Sequence, residues 1–544
     1  MTSTKSLLLA AALGSIPILA QDLPASHGPP SCANPLAWGF YATPETQTPT
    51  ALEVTGTIPR WLKGSLIRGA AGTWDVGNFT AEHWFDGFSR NHAFHVADGA
   101  VTYRSRNGSD ELRSFVQETG LYPNGAFGGD PCKIIFGAFE TTFRDASNAH
   151  GDASSDNIGV SWIANFPGLA NETDGAGGAF RTLVATSDVN ALQQINPITM
   201  EPMELFTYEA SHPLLANAGR AAAHPAVALD GSLYNYNLDL DASPPTYRVF
   251  GVQAPSGNAS VLATITDAPP AYIHSVFATE RHVVLIVWQA DYAQPGRTLM
   301  ESLGEWDPER PALFYVVDRL EGGVVAKYAA PESFFAFHQV NSFEDEAGDI
   351  LIDLPRMDDL SFIENAHVPT LRANLGRNGS AATDLQGEFT RFRLPKPTGP
   401  TTNPDGTLVT LPASVDFTIP YTSASIELPR INEAYTGRPY RYAYGVHTAR
   451  PGAFVDSIIK VDTHTRTHAT WEPATPHFPS EPIFVAAPGA HREDDGVLLL
   501  VAMSAAERVS SMIVLNATTL EELGRARMPV VMGYTFHGIW GSLQ

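Results

Sequence analysis

Four of the 17 histidines lie in apolar or small-residue surroundings at or near predicted β segments, where a buried polar ring needs a partner. Each one alone would be interpreted as a core histidine bonded to a backbone carbonyl. Neutral imidazoles are also ligands for iron, zinc and copper. The four are far apart in the chain, so they can bind one metal ion only if successive β units bring them to a common axis. They are His224 in GRAAAHPAVALDG, His274 in PAYIHSVFATERHVVLIVW, His338 in SFFAFHQVNSFEDEAGDILIDL and His537 in GYTFHGIWGSLQ.

Three carboxylates also stand among residues that favour burial. A histidine that binds metal through one nitrogen needs an acceptor for its other N–H, and that acceptor is often a carboxylate. Buried acidic residues are therefore the partners to expect for such histidines. The candidates are Asp188 in LVATSDVNALQQI, Glu427 in SASIELPRIN and Glu481 in FPSEPIFVAAP.

Most other histidines have polar neighbours. His464 and His468 in DTHTRTHAT are predicted to be solvated. The triplet His491-Arg492-Glu493 matches the start of a two-histidine, one-carboxylate iron site, but its charged, turn-like context predicts a surface loop.

Past about residue 50 the chain consists of short β-prone runs broken by Gly, Pro, Asn and Asp, and helical periodicity is scarce. Asp-Gly hairpin signals recur, as in VADGAVTY and ALDGSLYNY. Many short strands over a chain of 544 residues predict an all-β closed array, and a propeller protects its strand edges better than one sandwich. The sequence contains no exact repeat, so the number of blades cannot be counted from it.

The bulk composition narrows the function classes. With 34 Lys and Arg against 58 Asp and Glu, the net charge of −24 argues against nucleic acid as a partner and against anionic membrane surfaces.

Residues 1–20 have a lysine, an apolar run and a small final residue, which is typical of a secretory signal peptide. We therefore predict a secreted protein whose residues 21–544 form a single domain. The six Asn-x-Ser/Thr sequons allow glycosylation, and Cys32 and Cys132 allow one disulfide.

Seven dispersed blocks occur in an order that a known family shares. They are GTIPRWLKGSLIRGAAGTWDVG, EHWFDGFSRNHAFHVADGAVTYRSR, AAHPAVALDGSLYN, YIHSVFATE, FFAFHQVNSFED, PSEPIFV and YTFHGIW. Together they resemble the carotenoid cleavage oxygenase family, from about residue 36 to the end. The block GGDPCKIIFGAFETTF is similar to the branch that includes the β-carotene oxygenases and the retinal pigment epithelium isomerohydrolase.

This resemblance implies a seven-bladed β-propeller with Fe(2+) on its axis and an apolar cap of loops and helices above the metal. The implied iron ligands and catalytic residues are His224, His274, His338 and His537. The implied outer carboxylates are Asp188, Glu427 and Glu481, which would brace His274, His338 and His537 in that order and leave His224 without one.

Two departures from the family pattern bear on this site. Asp188 stands where the family usually has Glu, so its carboxylate reaches one methylene less far and holds His274 either by a backbone adjustment or through water. The family's Asn-Gly-Pro-Gly turn is replaced by Gly69-Ala70-Ala71-Gly72.

The function implied is cleavage of a conjugated C=C bond of a carotenoid or apocarotenoid by O₂, giving two carbonyl products. An alternative within the family is a stilbene-cleaving dioxygenase, whose members use a Tyr and a Lys to activate a 4-hydroxyl; Tyr103 is nearly placed for this, but Lys133 lies in the other branch's motif. Further alternatives are an O₂-independent isomerohydrolase and an inert propeller.

The partners implied are an apolar polyene or stilbene and O₂, with peripheral membrane contact through the loop that carries Cys132. Substrate identity, cleavage position and oligomeric state do not follow from the sequence.

Overall fold

The computed structural model describes residues 35–122, 126–128, 151–169, 179–215, 219–294, 298–374, 387–450 and 454–543. Several sequence predictions fall outside these ranges: the signal peptide at 1–20, Cys32, Cys132, Lys133, and the sequons at Asn171 and Asn378. The export prediction and the disulfide question therefore stay predictions.

Strands dominate the described residues. In chain order they are β1 Thr50–Ala51, β2 Glu53–Gly56, β3 Gly64–Thr73, β4 Asp75–Val76, β5 Phe79–Thr80, β6 Phe88–Ala97, β7 Ala100–Asn107, β8 Ser161–Ala164, β9 Ala179–Phe180, β10 Leu183–Thr186, β11 Leu192–Ile195, β12 Pro202–Phe206, β13 Arg220–Ala221, β14 Ala226–Val227, β15 Leu233–Asp239, β16 Thr246–Gln253, β17 Asn258–Ile265, β18 Phe277–Ala278, β19 His282–Val287, β20 Leu313–Asp318, β21 Val324–Ala329, β22 Asn341–Glu344, β23 Ile350–Arg356, β24 Glu388–Leu394, β25 Thr410–Pro412, β26 Ser414–Ile419, β27 Glu427–Ile431, β28 Tyr442–His447, β29 Ser457–Asp462, β30 Thr467–Trp471, β31 His477–Pro479, β32 Ile483–Ala486, β33 Gly496–Ser504, β34 Val509–Asn516, β35 Glu522–Arg527 and β36 Thr535–Leu543.

Helices are few and short. The α-helices are α1 Asp110–Thr119, α2 Leu299–Ser302, α3 Ser361–Asn365, α4 Val368–Asn374 and α5 Tyr421–Ala424. Single 3₁₀ turns lie at Pro35–Phe40, Trp84–Asp86, Tyr208–Ala210, Pro213–Leu215 and Glu433–Tyr435. None of the helices in the described part of the chain is both long enough and apolar enough to cross a bilayer.

The strands form seven sheets of four to six strands, which are the blades of a propeller. Blade 1 has the order β1-β7-β6-β3-β36-β9, and blade 2 has β12-β11-β10-β8. Blade 3 joins β13 and β14 to β15, followed by β16 and β17; blade 4 is β18-β19-β20-β21-β25. Blade 5 is β22-β23-β24-β26 and blade 6 is β27-β28-β29-β30. Blade 7 is β2-β35-β34-β33 with β31 and β32 on the far edge of β33, and β4 and β5 form a separate ribbon. The seven-bladed all-β prediction is confirmed.

The two ends of the described chain close the ring together. The C-terminal strand β36 pairs antiparallel with β3 and parallel with β9 in blade 1. The early strand β2 pairs with β35 in blade 7. Closure of this kind joins the first and last blades by strand pairing and leaves no open gap in the ring. It also docks the aromatic segment that carries His537.

The inner strands are buried on both faces, because each blade packs between two others. In β19 and β33 nearly every side chain is buried, and the sequences of both strands are mostly aliphatic, HVVLIV and GVLLLVAMS. Strands sandwiched between sheets show such runs, whereas outer strands such as β17 alternate. Burial on two sides makes the blades a rigid frame for whatever lies on the axis.

Candidate metal centre

The four predicted histidines meet at one place. One ligand nitrogen from each of His224, His274, His338 and His537 can be chosen so that all four lie within 4.8 Å of one another. The His224 ring centroid is 4.8 Å from that of His274, 5.0 Å from His338 and 4.1 Å from His537. The rings come from blades 3, 4, 5 and 1, so the convergence depends on the whole propeller.

Three of these rings hydrogen-bond a carboxylate from a different blade. Nδ1 of His274 is 2.8 Å from Asp188 Oδ1, Nδ1 of His338 is 2.6 Å from Glu427 Oε2, and Nδ1 of His537 is 2.9 Å from Glu481 Oε1. The pairings are those predicted. Asp188, Glu427 and Glu481 come from blades 2, 6 and 7, so each of the seven blades supplies one of the seven residues.

Asp188 reaches His274 directly, despite its shorter side chain. It lies just after β10, and its second oxygen, Oδ2, accepts a hydrogen bond of 3.0 Å from the Tyr272 hydroxyl. Of the two possibilities considered from the sequence, the structure therefore has the direct contact and not the one through water. Sequence reasoning missed Tyr272, although it lies two residues before His274, a spacing that places alternate side chains of an extended segment on one face.

His224 has no carboxylate partner, as predicted, and its main chain positions it instead. The His224 N–H donates to the His274 carbonyl oxygen at 3.0 Å, and Val276 N–H donates to the His224 carbonyl oxygen at 3.0 Å. The backbone N–H of Ala223 also donates to Asp188 Oδ1 at 3.3 Å. Asp188 thus supports two of the four histidines.

The hydrogen bonds leave the Nε2 atoms of His338 and His537 as acceptors without a donor. Since Nδ1 of each ring faces a carboxylate, both Nε2 atoms carry lone pairs, yet they are 3.1 Å apart. The Nε2 atom of His224 is buried and has no hydrogen-bond partner. Lone pairs that converge in this way repel one another unless a cation lies between them. This donor set of four imidazoles with no thiolate suits Fe, Zn or Cu.

Burial favours the neutral form of two of the four rings. It lowers the pKa of His224 and of His537 well below the usual value, and the neighbouring histidines lower both further. Neutral imidazole is the form that binds a metal ion.

Aromatic residues cover the centre on one side. Phe337 precedes His338, and its ring lies 5.5 Å from His274 and 5.9 Å from His338. Phe85 packs edge-on against Phe337 at 5.9 Å and against Phe536 at 5.3 Å. Phe127, Trp84, Phe362 and Phe454 extend this layer, which we call the aromatic cap. Most of its members come from loops, a 3₁₀ turn and α3, and Phe536 lies in β36, which agrees with the predicted apolar cover.

Residues that follow the histidines line a cavity of about 690 Å³. His224, His338 and His537 border it, and the aromatic cap does not. Farther from the histidines its wall becomes exposed, from Ala226 at 4% to Leu229 at 49%. The centre therefore lies between an apolar layer and a cavity whose lining is both polar and apolar.

Two arginines near Glu481 were also missed. Arg68 is fully buried against Glu481, and Arg430 Nη1 lies 3.8 Å from Glu481 Oε1. A single arginine in the otherwise uncharged and fully buried β3 was the available signal for Arg68.

Two other sequence candidates lie away from the centre. Tyr103 is 1% exposed inside blade 1, where its hydroxyl is 2.9 Å from His92 Nδ1. His491 is exposed, as are His464 and His468, which confirms that these three belong to the surface.

Comparisons with known proteins agree with this geometry. The family model described as retinal pigment epithelial membrane protein matches residues 40–542. The chain belongs to the carotenoid oxygenase family. Within it, the chain is 34% identical to a torulene dioxygenase of Fusarium fujikuroi and 32% identical to a carotenoid dioxygenase of Neurospora crassa. Each alignment covers at least 90% of both chains: 91% and 91% for the first, and 92% and 90% for the second.

The carotenoid oxygenase fold is also evident among solved structures. A Synechocystis apocarotenoid oxygenase superposes with a TM-score of 0.70 at 21% identity, covering 94% of this chain and 99% of the other. The relatives are oxygenase enzymes, so the inert propeller is the least suitable interpretation of this chain.

Proposed function

We propose that this protein is a non-haem Fe(II) dioxygenase that cleaves a conjugated C=C bond of a carotenoid or apocarotenoid with O₂. The observation that carries the proposal is the set of four imidazoles whose ligand nitrogens lie within 4.8 Å of one another beside an apolar aromatic layer. Names of relatives support the substrate class, since two of them are a torulene dioxygenase and a carotenoid dioxygenase.

The protein's own residues hold the site together and shape it. Asp188, Glu427 and Glu481 accept the Nδ1 protons and so orient three rings with Nε2 inward. His224, His274, His338 and His537 would hold the iron. Ferrous iron, when bound, would activate ground-state O₂ for reaction with the alkene, and the alkene itself provides the electrons that reduce O₂ to two carbonyl oxygens.

The aromatic cap supplies the apolar environment that a polyene requires. Phe337 and Phe536 each precede a histidine in the chain, so substrate contacts and metal ligands are set by the same backbone segments. Rings of this kind exclude water and stack on a conjugated chain, and the shape of the apolar space decides which double bond lies beside the metal.

Of the two residues considered for the stilbene alternative, Tyr103 and Lys133, the position of Tyr103 argues against it. Tyr103, the residue considered for activating a 4-hydroxyl, is enclosed in blade 1 with His92 as its partner. An O₂-independent isomerohydrolase would use the same four histidines, so only the reaction itself separates it from our proposal.

Product analysis under ¹⁸O₂ tests the proposal. Iron-loaded protein is incubated with β-carotene, an apocarotenal and resveratrol, and the products are analysed by mass spectrometry. We expect ¹⁸O in both carbonyl products of a polyene. Cleavage of resveratrol alone would establish the stilbene alternative, whereas a geometric isomer formed without C=C cleavage and without O₂ would establish the isomerohydrolase.

The control variants are His224→Ala and His491→Ala. Removing His224 takes away one ligand and is expected to abolish iron retention and turnover. The His491 side chain is exposed and remote, so its loss should change neither quantity.

We further propose that the chain is exported as a single domain after removal of residues 1–20, on the strength of their sequence pattern alone. N-terminal sequencing of protein from the native source tests this. A mature chain that still begins at Met1 would contradict it.

A further inference from the structure

Glu481 is a meeting point of three blades. It lies between β31 and β32 of blade 7 and accepts from His537 Nδ1 at 2.9 Å and from Gly538 N–H at 2.8 Å, both in β36 of blade 1. Arg430, from β27 of blade 6, approaches the same carboxylate at 3.8 Å. A single side chain thus connects the fourth histidine to the place where the ring closes.

Arg68, in β3, hydrogen-bonds the segment that carries Glu481. Its Nη2 donates to Ser480 Oγ and, at 2.9 Å, to the Glu481 carbonyl oxygen, while Nη1 lies 3.5 Å from Glu481 Oε2. A weaker contact of 3.4 Å joins Nη2 to Thr535 Oγ1 on β36. One guanidinium therefore contacts both sides of the seam between blades 7 and 1.

The backbone next to His537 is adapted to this guanidinium. Arg68 is directly opposite Gly538 in the β3–β36 pairing. A Cβ atom on residue 538 would lie 2.5 Å from Arg68 Cδ and 2.7 Å from its Nη1. Only glycine leaves room there for the arginine.

The other two carboxylates of the centre lack such support. Within the described ranges, neither Asp188 nor Glu427 has an arginine within ion-pair distance. Asp188 has Tyr272 as its second partner, and Glu427 carries a buried oxygen without one. The histidine at the closure of the ring is thus the one whose carboxylate is held by cations.

We infer that Arg68 is a positioning residue of the metal centre, which holds Glu481 and through it the ring of His537 at the seam between blades 7 and 1. The inference rests on the proposed function, since it requires that His537 bind a metal ion. Arg68 itself contacts neither the other histidines nor the aromatic cap.

Metal binding by Arg68→Met, measured with Co(II) in the absence of substrate and O₂, tests the inference. Loss of a side chain that orients a metal ligand typically costs about 10- to 100-fold in affinity, and we expect a loss in that range. Arg68→Lys keeps the charge but cannot reach all four acceptors, so an intermediate affinity is expected. If Arg68→Met does not fold, Arg68→Gln, which retains two donors, replaces it.

A matched control separates positioning from general stability. Arg391 is a buried arginine that binds Asp353 through two hydrogen bonds of 2.7 Å in blade 5, away from the histidines. Arg391→Met should lower the melting temperature and leave the Co(II) affinity unchanged. Equal losses of affinity in both variants would overturn the inference.

A double variant identifies the route of the effect. If Arg68 acts through Glu481, adding Arg68→Met to Glu481→Gln should change the Co(II) affinity less than about twofold to threefold. A full additional loss would overturn the inference while leaving the proposed function intact. Wild-type protein that binds Co(II) tightly but cleaves no polyene would refute the proposed function and leave the inference about Arg68 intact. Wild-type protein that binds no metal would refute both.

Discussion

Replacing Asp188 by Ala should weaken metal binding more than any other change among the three carboxylates. Asp188 accepts from His274 Nδ1 at 2.8 Å, from the Tyr272 hydroxyl at 3.0 Å and from the Ala223 N–H at 3.3 Å. The substitution therefore releases one histidine ring and loosens the backbone that leads into a second, His224.

The size of the effect follows from these contacts. Loss of one carboxylate that orients a metal-bound histidine costs about 10- to 100-fold in affinity, or about 1.4–2.7 kcal/mol. Because Asp188 serves two histidines, we expect Asp188→Ala to lie near the 100-fold end. In Asp188→Ala, the Tyr272 hydroxyl and His274 Nδ1 both lose their carboxylate partner, but they lie 3.0 Å apart and can hydrogen-bond each other. The metal-free protein should therefore lose about 1–3 kcal/mol of stability in total. Tyr272→Phe removes the contacts of the hydroxyl with Asp188 and His274 and orphans no buried donor, so its cost should be about 1 kcal/mol.

Competition of the protein with a calibrated chelator for Fe(II) or Co(II), together with calorimetric unfolding, measures both quantities. Asp239→Ala is the matched control, because the Asp239 side chain is 14% exposed against 17% for Asp188 and pairs with Arg248 in blade 3, away from the histidines. Wild-type metal affinity in Asp188→Ala would refute the account of how His274 and His224 are positioned.

Three further outcomes are expected. Removing the metal with a chelator should lower the melting temperature, since a ligand present at 100 times its dissociation constant stabilises the fold by about 2.7 kcal/mol. Phe337→Ala should cost about 3–5 kcal/mol of stability and most of the turnover, while iron content stays stoichiometric. Burial raises the pKa of Asp86 to about 7, although the backbone N–H groups of Phe127 and Gly128 oppose the shift. The neutral carboxyl is therefore favoured in the folded state, so its contribution to stability should fall by about 2–3 kcal/mol as the pH rises from about 5 to about 7.5.

Each of these outcomes has a direct check. Differential scanning calorimetry with and without chelator shows the first, and an unchanged melting temperature contradicts it. Metal analysis and turnover assays together separate the effects of Phe337→Ala on iron binding and on catalysis. Loss of iron would contradict the prediction and show that Phe337 positions the histidine ligands. For Asp86, the unfolding free energies of wild type and Asp86→Asn are compared across pH, with Tyr122 as a neighbouring titratable group. An identical pH dependence in both proteins would refute the assignment.

The metal centre was more predictable than the frame that carries it. Three carboxylates and four histidines could be predicted because polar side chains within apolar sequence need partners, and the family resemblance implied how they pair. The blade count came from resemblance alone, since the blades share no sequence repeat. Tyr272 and Arg68 were missed because their partners, Asp188 and Glu481, are remote in sequence and become neighbours only when different blades pack together.

Local chemistry also could not decide the role of Tyr103. Its position in a family-like block was compatible with a catalytic hydroxyl, yet the alternation of β7 directs it into blade 1 beside Phe94. The face of a strand on which a residue lies depends on register, which is set by pairing with β6 and not by the block itself.

Because every blade donates one residue and the last of these is His537, a growing polypeptide cannot possess a finished metal pocket until residue 537 has been synthesised. Partial chains still on the ribosome would present fewer imidazoles in no fixed arrangement. Occupancy of the pocket by a metal ion therefore reports that the circle of blades has been completed correctly.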